Sequence, residues 1–182
     1  ASLYDGATAL AEAVLMSLRI TGREKVLVSE AVHPEYRRVL TTYMQGAGYE
    51  CRETVFSQQG GVDTAALEKI VDDKTSCLVV QSPNFFGIIE DLDRIAGIVH
   101  KQKIMLVCLA DPFALALLKE PAAAGADIAC GDTQTVSVPV SFGGPGCGFL
   151  ACRQEYLRQL PGRIVGRTTD GREKTGYCLT LQ

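Results

Sequence analysis

Short apolar runs alternate along the chain with longer segments in which apolar residues recur every three or four positions. The runs predict buried strands, and the longer segments predict amphipathic helices. The predicted strands are 25–29, 49–56, 77–81, 104–110, 127–130 and 147–152. The predicted helices are 7–20, 34–45, 63–72, 92–102 and 153–160. Asp5 and Asp63 stand where N-cap residues of the first and third helices belong.

Strands that are nearly all apolar and alternate with helices predict an α/β fold. We expect a mostly parallel sheet of about seven strands with helices on both faces, spanning residues 1–161. From Gly162 the sequence turns polar and glycine-rich. This pattern predicts that 162–182 is a loop leaving the domain, an exit segment toward a small domain that is absent here.

Polar residues cluster where the predicted strands end, and ligands of parallel sheets bind at that edge. These residues are Ser29, Glu30, His33, Gln81, Ser82, Asn84, Asp111, Gly131 and Asp132. His33 is interpreted either as a loop residue or as a base. Asp111 is interpreted either as a helix cap or as a carboxylate presented to a ligand.

Composition narrows the class of protein. Of the 182 residues, 47% are hydrophobic and 21% are charged, as in ordinary soluble domains. The net charge of −3 gives no sign of a nucleic-acid surface. We expect no membrane span, because no apolar run approaches the roughly 20 residues required. The first residues carry no basic segment typical of a signal peptide, and the chain begins without Met. We therefore interpret it as a piece of a longer cytoplasmic protein.

The seven cysteines favour reduced thiols rather than a metal site. Four of them (Cys77, Cys108, Cys130 and Cys152) lie in apolar strand-like runs, where cysteine acts as a small buried hydrophobe. The chain has no CxxC pair, and its two histidines are distant from any cysteine in sequence. We predict no metal site.

A glycine-rich turn, "GGPGCG", precedes the last predicted strand. A dinucleotide-binding turn instead follows a strand and opens a helix, so this motif disfavours a Rossmann site. Cys147 within the turn is a possible nucleophile, but a small residue tolerated in a tight turn is the favoured interpretation.

Pyridoxal phosphate enzymes need four features together. A helix N-terminus binds the phosphate, a side chain stacks on the ring, an Asp holds the ring nitrogen, and a Lys forms the Schiff base. The helix start after Asp5, then His33 and Asp111, follow in that order. The lysine is missing, because no lysine lies between Lys119 and Lys174.

Several long motifs resemble the P-protein family of the glycine cleavage system, in its subunit 1 form. They include "ASLYDGATALAEA", "QSPNFFGIIED", "SFGGPGCGFLACR" and "LPGRIVG". The resemblance implies the large domain of an aspartate-aminotransferase-like pyridoxal phosphate fold, with the last strand antiparallel. It also implies participation in glycine decarboxylation with aminomethyl transfer to the lipoyl H-protein, within a heterotetramer that contains a subunit 2.

Aligning the turn Gly143-Gly144-Pro145-Gly146, with Pro139 also matching, on the cofactor-bearing homologue places Gln134 at its Schiff-base lysine. An amide cannot form a Schiff base, so the resemblance implies that pyridoxal phosphate binds the partner subunit and that this chain has no catalytic residue. Relic or interface residues would then be His33, Asp111, Gln134, Gly143, Gly144 and Gly146. Asn84, Phe85 and Phe86 are expected to face the substrate or the partner.

Two alternatives stay open. One is a catalytic pyridoxal phosphate enzyme related to aminotransferases or desulfurases, with a displaced lysine. The other is a non-catalytic scaffold domain without any tie to glycine metabolism.

Overall fold

The computed structural model describes residues 1–137, 141–162 and 164–180. The helices are α1 (Gly6–Thr21), α2 (Pro34–Ala47), α3 (Thr64–Ile70), α4 (Leu92–Val99) and α5 (Gln134–Ser137). The strands are β1 (Ser2–Leu3), β2 (Lys25–Ser29), β3 (Glu50–Thr54), β4 (Thr75–Ser82), β5 (Met105–Ala110), β6 (Ile128–Asp132), β7 (Gly148–Cys152), β8 (Ile164–Thr169) and β9 (Thr175–Thr180). Short 3-10 helices lie at His100–Gln102, Ala114–Ala116 and Gln154–Gln159.

In the described residues seven strands form the main sheet, in the order β1-β7-β6-β5-β4-β2-β3. Strands β3, β2, β4, β5 and β6 run parallel to one another, whereas β7 is antiparallel to both β6 and β1. The predicted sheet and its antiparallel last strand are therefore confirmed. The pattern missed β1, because two residues are too few to carry a periodic signal.

Helix α1 is capped at both ends and packs against one face of the sheet. Asp5 caps it: the Asp5 carboxylate accepts the Thr8 N–H at 2.7 Å, and the Thr8 hydroxyl accepts the Asp5 N–H at 3.1 Å. The helix ends at Gly22, whose φ of 65° is costly for residues with a Cβ. The buried face of α1 packs in one core cluster with residues of β2, β4, β5 and β6. A second core cluster on the other face of the sheet contains residues of α3 and α4.

Two segments differ from the sequence prediction. The predicted helix over 153–160 is a 3-10 helix, and the segment predicted to be a loop forms the antiparallel hairpin β8–β9. The hairpin alternates polar and apolar residues only weakly, which is why its strands were not recognised. The division into a domain over 1–161 and an exit segment over 162–182 stays a prediction. Arg163 and 181–182 of that segment lie outside the described residues.

All seven cysteines are free thiols. Cys77, Cys108 and Cys130 are buried in the sheet, as predicted, whereas Cys152 is half-buried. Burial raises the pKa of the Cys77 and Cys108 thiols to about 12, and it raises the pKa of Cys130 as well. These three thiols therefore pack as neutral apolar groups rather than as nucleophiles. None of the helices in the described residues has the length and apolar character needed to cross a bilayer.

Candidate functional site

A cleft opens at the carboxyl ends of β2, β4, β5 and β6. Next to β2 the strand order reverses, because β3 pairs on one side of β2 and β4 pairs on the other. We call this cleft the carboxyl-edge cleft. Its volume is about 230 Å³, below the roughly 300–1,000 Å³ of typical ligand pockets. It is lined by His33, Tyr36, Gln81, Leu109, Ala110, Asp111, Gly131, Asp132 and Thr135. The fold therefore brings together five of the nine polar strand-end residues predicted from the sequence: His33, Gln81, Asp111, Gly131 and Asp132. The other four, Ser29, Glu30, Ser82 and Asn84, are not part of the cleft lining.

His33 is held firmly at the mouth of this cleft. It is the N-cap of α2, and its Nδ1 accepts the Glu35 N–H at 3.2 Å. Its own N–H donates to the Gln81 side-chain oxygen at 2.8 Å, which links β2 to β4. The imidazole meets the edge of the Phe85 ring at a centroid distance of 5.1 Å. With Nδ1 used as an acceptor, the ring is fixed in orientation and only Nε2 is available to a ligand.

Asp111 caps a turn and also lies in the lining of the cleft. Its carboxylate accepts the Phe113 N–H at 2.9 Å, so it caps the turn that leads to the 3-10 helix at Ala114–Ala116. The residue is exposed and lines the cleft. Whether it meets a ligand stays a prediction.

Asp132 makes the longest-range contact of the cleft. One carboxylate oxygen accepts the N–H of Gly6, at the start of α1, at 2.9 Å, and the other accepts the N–H of Gln134 at 2.7 Å. The Tyr36 ring lies over the same point, and an atom added as Cβ of Gly6 would be 2.6 Å from the Tyr36 hydroxyl. Burial, followed by the charges of Asp132 and Asp5, raises the pKa of Tyr36 to about 12. Sequence reasoning noted Asp132 as a strand-end residue but missed both this contact and Tyr36.

Gln134 turns toward the glycine-rich loop, which we define as residues 141–147. Its side-chain amide donates to the Gly143 carbonyl at 2.8 Å, while Thr133 donates from its N–H and its hydroxyl to the Cys147 carbonyl. Gly143 and Gly144 have φ of 96° and 47°, a left-handed conformation that residues with a Cβ rarely adopt. The short helix α5 precedes this loop. Residues 138–140, and with them Pro139 and its alignment, lie outside the described residues.

Gly146 and Cys147 complete the loop. A Cβ on Gly146 would lie 3.4 Å from the Tyr4 carbonyl oxygen and 3.4 Å from the Asp5 Cβ, so this glycine packs against the start of α1. Its role at an interface stays a prediction. Cys147 contributes a backbone acceptor to Thr133, and in the described residues no hydrogen bond joins its thiol to a histidine. This geometry favours the structural interpretation of Cys147.

Residues 83–87, which we call the PNFFG loop, follow β4. Asn84 was expected to face the substrate or the partner, but it is only 5% exposed. Its amide nitrogen donates to the Gly60 carbonyl and to the Glu90 carboxylate, each at 2.8 Å. Its amide oxygen accepts the N–H groups of Phe86 and Ile88. The buried Asn84 side chain, with every polar atom bonded within the chain, therefore holds the loop together, and its expected contact with the substrate or the partner stays a prediction.

Phe85 and Phe86 behave as expected for surface residues. They are 49% and 50% exposed, and their rings meet at a centroid distance of 5.7 Å. Phe86 also contacts Phe56 at 5.0 Å. Together with His33 they form an aromatic ridge (His33, Phe85, Phe86, Phe56) that is continuous with the rim of the cleft. Which molecule this ridge faces stays a prediction.

The cleft does not fit pyridoxal phosphate. The amide of Gln134 cannot form a covalent bond with the aldehyde, and no lysine is among the described residues that line the cleft. The N-terminus of α1, which would attract a phosphate, already binds two carboxylates of the chain itself. The emptied cofactor site inferred from the resemblance is consistent with this arrangement.

Comparisons with known proteins agree with these observations. A protein from Desulforamulus reducens named "Probable glycine dehydrogenase (decarboxylating) subunit 1" is 50% identical over 182 residues. That alignment spans 100% of this chain and 41% of the relative. A protein of the same name from Desulfitobacterium hafniense is 51% identical, again over 100% of this chain and 41% of the relative. The chain thus spans about two-fifths of the length of the curated relatives it matches.

Two solved structures are similar in three dimensions. An inhibitor-bound glycine decarboxylase (P-protein) of the glycine cleavage system superposes with a TM-score of 0.93 at 47% identity, over 100% of this chain and 40% of that chain. A Campylobacter jejuni protein assigned as an O-acetylhomoserine (thiol)-lyase, which carries a pyridoxyl-lysine phosphate group, superposes with a TM-score of 0.66 at 22% identity. The second match covers 88% of this chain and 37% of that chain, and it bears on the fold alone.

The match to a family model is complete along the chain. The model of the "Glycine cleavage system P-protein" family aligns with residues 1–182. The expected fold class is confirmed by the sheet order together with the solved P-protein structure. The chain belongs to the glycine cleavage system P-protein family.

Proposed function

We propose that this chain is the large domain of subunit 1 of a two-subunit glycine decarboxylase. Pyridoxal phosphate is carried by subunit 2, and this chain supports that subunit rather than performing the chemistry. The single observation that carries the proposal is the carboxyl-edge cleft, which lies where a cofactor would bind in this fold. At the position expected for the Schiff-base lysine the chain has Gln134, and its side chain is hydrogen-bonded to the Gly143 carbonyl.

The role of this chain is to position subunit 2 and the lipoyl arm rather than to react with the substrate. In the proposed assembly, decarboxylation of glycine and transfer of the aminomethyl group to the lipoyl H-protein take place on subunit 2. The aromatic ridge of subunit 1 supplies apolar surface at the rim of its own cleft. Exposed aromatic clusters of this kind commonly mark protein contacts. We assign the ridge to the contact with subunit 2 or to the path of the lipoyl arm.

The location of the cofactor gives a direct test. The full two-subunit enzyme is incubated with pyridoxal phosphate, reduced with borohydride, and digested for mass spectrometry. We expect the reduced cofactor on one lysine of subunit 2 and none on this chain, because the described residues that line the cleft include no lysine. Stoichiometric label on a single lysine of this chain would instead establish the alternative of a catalytic enzyme with a displaced lysine.

Co-purification separates the proposal from the scaffold alternative. A tagged subunit 1 should retain subunit 2 through gel filtration when both are expressed together. Failure to retain subunit 2, combined with normal glycine decarboxylation by subunit 2 alone, would favour a scaffold domain unrelated to this activity.

The aromatic ridge gives a second prediction. Replacing Phe85 and Phe86 together by Ala in the two-subunit enzyme should lower glycine decarboxylation by about tenfold, while the melting temperature falls by no more than about 4 °C. The rings are half exposed, so their removal leaves little cavity behind. Glycine-dependent release of carbon dioxide and calorimetry measure the two quantities.

Replacement of Tyr177 by Ala is the matched control, because that ring is 74% exposed on β9 and, in the described residues, makes no ring contact with the ridge. It should leave both quantities unchanged. If the Phe85 and Phe86 variant unfolds early but its folded fraction keeps normal specific activity, the ridge serves only local packing.

A further inference from the structure

The start of α1 is a position that favours an anion. A helix leaves its first N–H groups without partners inside the helix, and their dipoles attract negative charge. In α1, which is 16 residues long, the Asp5 carboxylate takes the N–H of Thr8. The N–H of Gly6 donates to a residue 126 positions away, the Asp132 carboxylate, at 2.9 Å.

Little room is left beside that contact. The position of a Cβ on Gly6 lies 3.1 Å from the Asp132 Cβ and 2.6 Å from the Tyr36 hydroxyl, so both side chains pack directly against the glycine. Asp132 is half-buried, and its charge together with that of Asp5 helps to raise the pKa of Tyr36. A phosphate brought to this point would meet the negative charge of two carboxylates, those of Asp5 and Asp132.

The second oxygen of Asp132 extends the connection to the glycine-rich loop. It accepts the N–H of Gln134 at 2.7 Å, and Gln134 in turn donates to the Gly143 carbonyl at 2.8 Å. Gly146 of the same loop packs on Asp5. One carboxylate therefore joins the start of α1, the start of α5 and the loop beyond it.

We propose that Asp132 is an internal anion that fills the anion site at the N-terminus of α1, closes the carboxyl-edge cleft to phosphate, and holds the glycine-rich loop in place without a cofactor. Asp132 is a positioning residue in this role. The consequence is that removal of its carboxylate opens a site for an external phosphate.

The test is anion rescue of Asp132→Ser in the full natural chain. Serine keeps a hydroxyl that can accept the Gln134 N–H two residues on, so α5 retains its cap while the Gly6 N–H loses its partner. We expect the melting temperature to fall by about 5 °C. About 20 mM inorganic phosphate should restore roughly half of that fall, whereas chloride at equal ionic strength should not.

Hydrogen exchange provides a readout that a change in general stability does not reproduce. Exchange at the amides that begin α1 should accelerate in Asp132→Ser and slow again when phosphate is added. The wild-type chain should show neither phosphate stabilisation nor phosphate-dependent protection there. Melting and exchange are read without glycine turnover, so their outcome is independent of whether the assembly decarboxylates glycine.

Asp111→Ser is the matched control. Asp111 lines the same cleft but caps only its own turn, through the Phe113 N–H, so its variant should show no phosphate rescue. The proposal is overturned if phosphate protects the start of α1 in the wild-type chain, or if Asp132→Ser responds to phosphate no more than Asp111→Ser does. If Asp132→Ser does not fold, the wild-type exchange measurement with phosphate decides by itself: protection overturns the proposal, and its absence supports it.

Discussion

Gly148→Ala is expected to destabilise the domain by about 3 kcal/mol, because the new methyl group has no space. Gly148 opens β7 beneath the start of α1. An ideal Cβ at this position would lie 2.6 Å from the Asp5 carbonyl carbon and 3.1 Å from the Ala9 Cβ. The nearest atoms belong to the backbone of the residue that caps α1, so they cannot move away without displacing the helix.

Urea unfolding measures this loss, and a fall in melting temperature of about 6–12 °C should accompany it. Gly97→Ala is the matched control, since Gly97 is exposed in α4 and its Cβ would have no neighbour within 4 Å. Alanine there should stabilise the domain by about 0.5–1 kcal/mol through helix propensity. A Gly148→Ala variant as stable as Gly97→Ala would mean that α1 shifts freely, which would also weaken the argument that Asp132 holds its start in place.

Glu90→Ala should also destabilise the domain by about 3 kcal/mol, for an electrostatic reason. Glu90 is 8% exposed, and its carboxylate accepts the Val62 N–H at 2.9 Å and the Asn84 amide at 2.8 Å. Alanine leaves both donors without an acceptor in a region that water scarcely reaches. The PNFFG loop then loses its support, so the activity of the two-subunit enzyme should fall together with stability.

Two further variants isolate the cause. Glu90→Gln keeps the shape of the side chain and one acceptor oxygen. It should therefore lower the free energy of unfolding by about half as much as Glu90→Ala does. Glu68→Ala removes a carboxylate from the exposed side of α3 and should change the free energy of unfolding by no more than about 0.5 kcal/mol. Equal stability of the Glu90→Ala and Glu68→Ala variants would show that water replaces the carboxylate, and it would refute the role of Glu90 as the support of the loop.

The two predictions concern contacts between separate elements of the chain. The local pattern of apolar and polar residues did not predict these contacts. Asn84 follows a buried strand and stands beside two exposed aromatic residues, so its sequence context resembled that of a ligand-facing residue. Its burial depends on Glu90 and on the carbonyl of Gly60, which come from either side of it in the chain. A loop that folds around a side chain in this way has no periodicity from which it could be predicted.

What the sequence by itself determined was the set of features that depend on neighbours within one or two turns. The alternation of apolar runs and amphipathic segments predicted β2 to β7 and the first four helices to within a few residues, and the caps Asp5 and Asp63 were correct because capping is local. The family resemblance placed Gln134 at the position of the Schiff-base lysine, and that assignment stays a prediction. The tertiary structure alone decided that β1 pairs with β7, that 164–180 forms a hairpin, and that Asp132 reaches Gly6. Those features join residues that are far apart or only weakly patterned, and the free energy that selects them comes from burial and hydrogen bonding in the assembled fold rather than from any preference of the local chain.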